Sequence, residues 1–180
     1  MSKKLSEMTL EELWQIFPIM LTEHNACWAS YYSGEAKLIK SILPPDAIIH
    51  HIGSTAIDGI WAKPIVDILV ELKSDLELAA KLLEQNGYIV MSKGANRISL
   101  NKGYTEQGFA DRVFHIHLRL YGDSDEVFFR DYLIAHPDVA KEYEQLKLGL
   151  WKQYEFNRDA YTEAKSEFVA KYTAIAKERK

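Results

Sequence analysis

The chain has a single cysteine, Cys27, among its 180 residues, so it cannot close an internal disulfide, and its cysteine usage fits a reducing compartment. It also lacks any excess of positive charge. Twenty-two Lys and Arg against 26 Asp and Glu give a formal net charge of -4, which leaves no global basic field, and sequence-independent nucleic-acid binding is not expected. No apolar run approaches the ~20 residues that cross a bilayer, and the amphipathic stretches are flanked by mixed charge rather than by a basic face. The N-terminus shows neither the apolar run nor the small-residue cleavage site of a secretory signal. A cytoplasmic protein without membrane association is therefore expected. There is no internal repeat and no low-complexity tract. What is present is a 47% hydrophobic content, enough for one domain with a real core.

The stretch from His50 to Glu71, HHIGSTAIDGIWAKPIVDILVE, reads as strand, turn and second strand. Ile48, Ile49 and Ile52 lead into Gly53-Ser54-Thr55, where a residue without a side chain and two hydroxyls let backbone N–H groups and side-chain donors converge on an anion. Lys63, before Pro64, adds a cation. Ile65 to Val70 is a buried-type strand interrupted by Asp67. An ionised carboxylate there must be paired, metal-bound or at a functional edge, because desolvating it alone costs several kcal/mol. Strand periodicity puts Asp67, Leu69 and Glu71 on one face. An acid-x-acid arrangement for a divalent cation is thus broken at Leu69, with Glu71 reaching from the strand end or lying solvated beside Lys73.

Val113 to Leu120 alternates so that His115, His117 and Arg119 share a face. Paired imidazoles suit metal binding, phosphate binding when protonated, or acid–base work. A third alternate histidine would complete a phosphohydrolase-like row, and Arg119 stands in its place. Tyr161 and Lys165, four apart on a C-terminal helix, share a face on which a tyrosine can stack on a base and a lysine meet a phosphate. The alternative is a packing helix with Tyr161, Phe168 and Val169 inward and Lys165 in solvent. Arg97 and Arg112 flank a mobile-looking segment near the same sheet face.

In order, the chain starts with a polar stretch, Met1 to Ser6, expected to fray. Thr9 to Glu12 has capping-box spacing for a short helix that ends at Pro18. Ile19 to Leu21 reads as a short extended edge, and Asn25 caps a helix over about 26–43, with Gly34 its weak point. After the second strand, Ser74 or Asp75 caps a helix with a stripe of Leu76, Leu78, Ala79, Leu82 and Leu83, ended by Asn86-Gly87. Tyr88 to Met91 and Arg97 to Leu100 read as short strands, followed by a flexible segment from Asn101 to Gly108. From Ser124 the pattern is helical, with a break at Pro137-Asp138, a helix to about Tyr154 and another from about Asp159 onward. The expected fold is α+β: residues 1–24 an N-terminal extension, 25–122 a mixed-sheet core, 123–180 a C-terminal helical subdomain packed as part of the same domain.

An ordered set of motifs carries a family resemblance from about Trp28 to the end. It comprises His51-Ile52-Gly53-Ser54-Thr55-Ala56 with Gly59, Lys63-Pro64-Ile65-Val66-Asp67-Ile68, His115-Ile116-His117-Leu118 and Phe129-Arg130-Asp131-Tyr132-Leu133 with Ala135-His136-Pro137. Tyr143 with Leu146-Lys147, and Tyr161 with Ala164-Lys165 and Phe168, complete it. In these the chain resembles the GrpB-like proteins of the nucleotidyltransferase fold superfamily. The resemblance implies a small mixed sheet with flanking helices, a Gly53-Ser54 turn that receives nucleotide phosphates, and Asp67 as the first acid holding Mg²⁺ or Mn²⁺. The second acid of the superfamily falls at Leu69, and the third at His115 or His117. The implied activity is metal-dependent transfer of a nucleoside monophosphate from an NTP to a hydroxyl or phosphate acceptor. In that reading Asp67, His115 and His117 are catalytic, and Gly53, Ser54, Thr55, Lys63, Tyr161 and Lys165 bind the nucleotide. Asp67, Glu71 and His117 ligate the metal. The alternatives are a catalytically silent nucleotide- or anion-binding module of the same fold and a phosphohydrolase built on His115 and His117.

Overall fold

The computed structural model describes residues 4–178. Met1 to Lys3 of the stretch expected to fray lie outside the described residues, and Leu5–Glu7 forms a 3₁₀ turn. A five-stranded sheet is built from β1 (Ile48–Ile52), β2 (Val66–Leu72), β3 (Ile89–Lys93), β4 (Arg97–Thr105) and β5 (Gly108–Leu120), in the order β1-β2-β5-β4-β3. Only the β2/β5 pair is parallel; the others are antiparallel. The helices are α1 (Leu10–Ile16), α2 (Cys27–Ile42), α3 (Leu76–Glu84), α4 (Asp125–Ala135), α5 (Pro137–Gln153), α6 (Arg158–Glu163) and α7 (Ser166–Glu178). Among the described residues no helix is long and apolar enough to cross a membrane.

Two-residue periodicity divides the sheet into faces. Val66, Ile68, Val70, Ile98, Leu100, Phe114, Ile116 and Leu118 join Trp28 and Ile39 of α2 and Leu76, Ala79 and Leu83 of α3 in one buried core. The opposite face carries Asp67, Leu69, His115 and His117. It lies under a second core in which Phe129, Leu133, Tyr143 and Tyr172 of the C-terminal helices meet Ile57 and Ile60 from the loop after β1.

The local signals hold where a cap or a stop decides the element. Thr9 and Glu12 form the reciprocal capping box of α1, Asn25 Oδ1 accepts from Cys27 N at 2.9 Å at the start of α2, and Asp75 accepts from Leu78 N at 3.0 Å for α3. Gly34 is spanned without a break. Two expectations need correction. Asn101 to Gly108 is a strand and a tight turn rather than a flexible segment, because β4 continues to Thr105 through an irregularity between Lys102 and Tyr104 and pairs with the start of β5. The final helix is two, α6 and α7, joined at Ala164 and Lys165. Ahead of α2, Phe17 packs on Tyr104 and Phe109 at 4.7 and 5.0 Å between ring centroids, Ile19 N donates to Glu155 O at 2.8 Å, and Thr22 bridges Ala62.

Candidate active site

The turn after β1 and the acid of β2 are in contact. Gly53 has φ 72°, and a Cβ built there would stand 2.6 Å from Asp67 Oδ2, so both the backbone conformation and the space demand glycine. Ser54 opens a 3₁₀ turn, Ser54–Ala56, directly after it. Thr55 is buried, and its hydroxyl is engaged by His51 Nε2 at 3.0 Å. His51 stacks on Tyr32, and burial lowers its pKa to about 4.

Parallel pairing places His115 beside Asp67 and His117 beside Leu69, and both imidazoles reach the same oxygen. His117 Nε2 is 3.2 Å and His115 Nδ1 3.3 Å from Asp67 Oδ1. His115 Nε2 lies 2.7 Å from the Tyr104 hydroxyl and 3.2 Å from Arg158 Nη2. A guanidinium has donors only, so Nε2 accepts and the ring proton of His115 sits on Nδ1, facing Asp67. Burial drives the His115 pKa down to about 4 despite the neighbouring carboxylate. Asp67 is also desolvated, which favours its neutral form, yet the two histidine hydrogen bonds hold its carboxyl well below the ordinary range. The pair is therefore an Asp67 anion and a neutral His115.

Four cations gather beside the turn and this carboxylate, two of which, Lys63 and Lys165, interact with it. Lys147 of α5 is 2% exposed, donates to Ser54 Oγ at 2.8 Å, and donates to the Trp61 carbonyl. Lys63 and Lys165 both lie over the Tyr161 ring, at 5.7 and 4.3 Å from its centroid. Arg158 completes the group. Burial and mutual repulsion bring Lys147 down to about 7 and Lys165 to about 8, and lower Lys63 well below the usual lysine range. Lys63, Lys147, Lys165, Ser54 and Tyr161 line a cavity of about 180 Å³. Gly53, Ser54, Asp67, Tyr143 and Lys165 also line a larger cavity of about 880 Å³ that runs along α7. Asp67 stands where the two cavities meet.

Of the residues expected from sequence, Gly53, Ser54, Lys63, Asp67, His115, His117, Tyr161 and Lys165 come together here. Glu71 does not: it is four residues along β2, ~13 Å at strand rise, and its carboxylate is taken by His50 Nε2 at 2.8 Å and Gly122 N at 3.0 Å. Glu71 stands apart from the donor group of Asp67, His115 and His117. Tyr161 is 0% exposed with lysines over its ring, so its ring is not open to stack on a base. Arg97 is held by Asp123 at 2.6 and 2.8 Å, and Arg112 lies over Tyr31 at 4.6 Å. Lys147, Arg158, Tyr104 and Tyr143 were not expected at the site. A signal for Lys147 exists: Tyr143 and Lys147 repeat the four-residue spacing of Tyr161 and Lys165.

A family model described as GrpB protein matches residues 18–174. The chain belongs to the GrpB family. It is 35% identical over 176 residues to the UPF0157 protein YqkA of Bacillus subtilis, covering 92% of this chain and 50% of that relative. It is 34% identical over 164 residues to the glutamate-rich protein GrpB of Alkalihalophilus pseudofirmus, covering 84% of this chain and 91% of that relative. The chain thus spans about half the length of the Bacillus subtilis protein. The crystal structure of conserved protein GrpB from Enterococcus faecalis superimposes with a TM-score of 0.77 at 28% identity, over 89% of this chain and 98% of that one. The GrpB fold is also that of nucleotidyltransferase-like polymerases. The GLD-2/RNP-8 complex gives a TM-score of 0.52 at 11% identity over 74% of this chain and 56% of that one. Cid1 poly(U) polymerase bound to MgATP gives 0.50 at 14% identity over 77% and 47%.

In this GrpB chain the donors near Asp67 do not fit a pair of Mg²⁺ ions, which take oxygen ligands. One carboxylate is present, Leu69 is fully buried at the second acid's place, and the remaining donors are imidazoles. They do fit one ion of the borderline kind that accepts imidazole, such as Mn²⁺ or Zn²⁺. His117 can carry its proton on Nδ1 and turn Nε2 to an ion. Arg158 denies His115 that choice.

Proposed function

We propose that this protein transfers a nucleoside monophosphate from an NTP to a hydroxyl or phosphate acceptor. The observation that carries this reading is the contact between the Gly53-Ser54 turn and Asp67, beside a group of cations at the junction of two cavities. Ser54 and the turn's backbone hold the polyphosphate, with Lys63 and Lys165 neutralising it. The acceptor enters from the larger cavity, so its oxygen and the leaving phosphate lie on opposite sides of the α-phosphorus. Asp67 and His117 would hold the single divalent ion, which supplies charge to the reacting phosphoryl oxygens. His115 is a positioning residue: Arg158 and Tyr104 fix its tautomer, and its Nδ1–H aims the Asp67 carboxylate. With both ring nitrogens engaged, His115 offers no free base, which removes support from a two-histidine phosphohydrolase.

The test is pyrophosphate release from each of the four NTPs across hydroxyl- and phosphate-bearing acceptors, with Mn²⁺, Mg²⁺ or Zn²⁺. Asp67→Asn, which keeps shape and hydrogen-bonding capacity, is expected to lose activity by at least about a hundredfold while keeping the parent's thermal unfolding. An Asn variant as fast as the parent refutes the mechanism. Leu69 favours a second reading, a module that binds nucleotide without turning it over. NTP binding with no pyrophosphate from any acceptor would select it.

A further inference from the structure

A further cavity, of about 440 Å³, lies between α4 and the strands β1 and β2, and it shares no lining residue with the two cavities at Asp67. One face of α4 runs along it: Ser124, Val127, Phe128, Asp131, Tyr132 and Ala135 recur at helical spacing, a run of ~16 Å. His50, Glu71, His136 and Ala176 complete the wall. Its polar groups are mostly acceptors. The Glu71 carboxylate can only accept, so His50 Nε2 donates to it at 2.8 Å and the neutral ring keeps its lone pair on Nδ1. The Tyr132 carbonyl, 2.8 Å away, puts the His136 proton on Nδ1 and the lone pair on Nε2. Asp131 takes both Arg130 contacts on Oδ1, at 2.6 and 2.8 Å, and its side chain is 61% exposed. The C-terminal end of α4, at His136, adds the partial negative charge of a helix end. Among the described residues no lysine or arginine lines the cavity. Arg130 and Lys177, each next to a lining residue, are held by Asp131 and Asp125.

We propose that this groove binds an aliphatic polyamine, a methylene chain that carries several ammonium groups. The match is one of charge, shape and size. An ammonium group has donors only, and here it meets imidazole lone pairs and carboxylates, with which charge-assisted hydrogen bonds are the strong kind. The methylene segments have Val127, Phe128, Ala135 and Ala176 to pack on, and the two alanines keep the groove open. At ~30 Å³ per water in liquid, about 440 Å³ is the room of about fifteen waters, enough for a chain of about ten non-hydrogen atoms. The ~16 Å run along α4 takes such a chain extended. A lone metal ion is matched less well, since among the described residues the donor group close enough to hold one is at Asp67 and not here. An anion would meet two carboxylates and no lining cation. The groove is argued from its own walls, and it stands whether or not the chain turns over an NTP.

The test is isothermal calorimetry of the full chain with spermidine at about pH 8 and fixed ionic strength, with n-butylamine as the single-amine control. Spermidine is expected to bind one to one, about tenfold or more tighter than n-butylamine, because several ammonium groups find acceptors at once. Two variants separate this groove from the general attraction of a negatively charged chain. Ala135→Leu changes no charge and sits at an exposed helical position, so it is expected to keep the parent's Tm while filling the groove and weakening spermidine by about tenfold. Asp131→Asn removes an exposed carboxylate and is expected to weaken it by about threefold. Equal affinity for the two amines, no binding of spermidine, or an Ala135→Leu protein that binds spermidine as the parent does would each overturn the proposal.

Discussion

At the scale of the residue, the site is governed by what surrounds Asp67. A single carboxylate keeps its charge in a partly buried position because two imidazole N–H groups donate to one oxygen, while the other oxygen lies against the Gly53 backbone. That contact leaves Gly53 little room to change. In Gly53→Ala the new methyl would meet Asp67 Oδ2 at 2.6 Å, on a backbone at φ 72° that L side chains avoid. A loss of about 1–3 kcal/mol is expected in urea unfolding, with NTP or pyrophosphate affinity falling at least tenfold as the turn backs away. Unchanged binding by this variant would mean that the turn does not hold the phosphate. His51, Thr55 and Tyr32 lock the other side of the turn, and Arg130 donates to the His51 carbonyl at 2.7 Å.

At the scale of the element, the parallel β2/β5 pair brings Asp67 and the histidines together, and the β4–β5 hairpin holds His115 in place. Gly103 makes the irregularity in β4: it has φ 90°, and a Cβ there would collide with the Arg112 carbonyl of the paired strand. This bulge sets the course of the chain into Tyr104, whose hydroxyl meets His115. Gly103→Ala is expected to cost about 2–4 kcal/mol and to slow any pyrophosphate release more than it weakens NTP binding, since the damage reaches His115 rather than the lysines. Denaturation curves beside kcat and KM separate the two effects. Helix α5 plays the matching part on the other side. Glu144 accepts from Trp61 N at 2.7 Å and Lys147 donates to the Trp61 carbonyl, clamping the loop between the turn and β2.

At the scale of the whole molecule, a chain with net charge -4 brings Lys63, Lys147, Lys165 and Arg158 close enough to repel one another. That net charge is compatible with tight capture of one small anion at this point. Protonation follows from the same crowding. Lys147 and Lys165 titrate at about 7 and about 8, lowered by burial and by neighbouring cations, while Glu144 and Asp67 respectively oppose the shift. A bound anion favours their charged forms, so the complex holds more protons than the free protein and affinity falls as pH rises through these values. Pyrophosphate affinity is expected to weaken by roughly tenfold or more between about pH 6.5 and about pH 9. Calorimetry in two buffers of different ionisation enthalpy at about pH 8 should record net proton uptake. Saturation should also stabilise the fold by ~2.7 kcal/mol at a ligand concentration 100 times Kd, read as a rise in Tm of roughly 5–10 °C for a chain of this size.

The sequence by itself determined the caps of α1 and α3, the stop before β1, the alternation that sorts both faces of β2 and β5, and the pairing of a glycine turn with an acid on the next strand. Each rests on residues within a few positions of one another, where backbone geometry and periodicity act directly. The interior of β4 was not legible, because Asn101 to Thr105 become strand only by pairing with β5. Glu71 was misplaced because sharing a strand face does not mean sharing a site. Lys147, Arg158 and Tyr104 come from three other elements, and their place depends on how α5, α6 and the hairpin fold back over the sheet. Tertiary structure alone decided that Lys147 and Arg158 would join Lys63 and Lys165 in one group, and that Arg158 would fix the proton of His115. Burial and charge interaction depend on distance in space, and spacing along the chain does not set that distance.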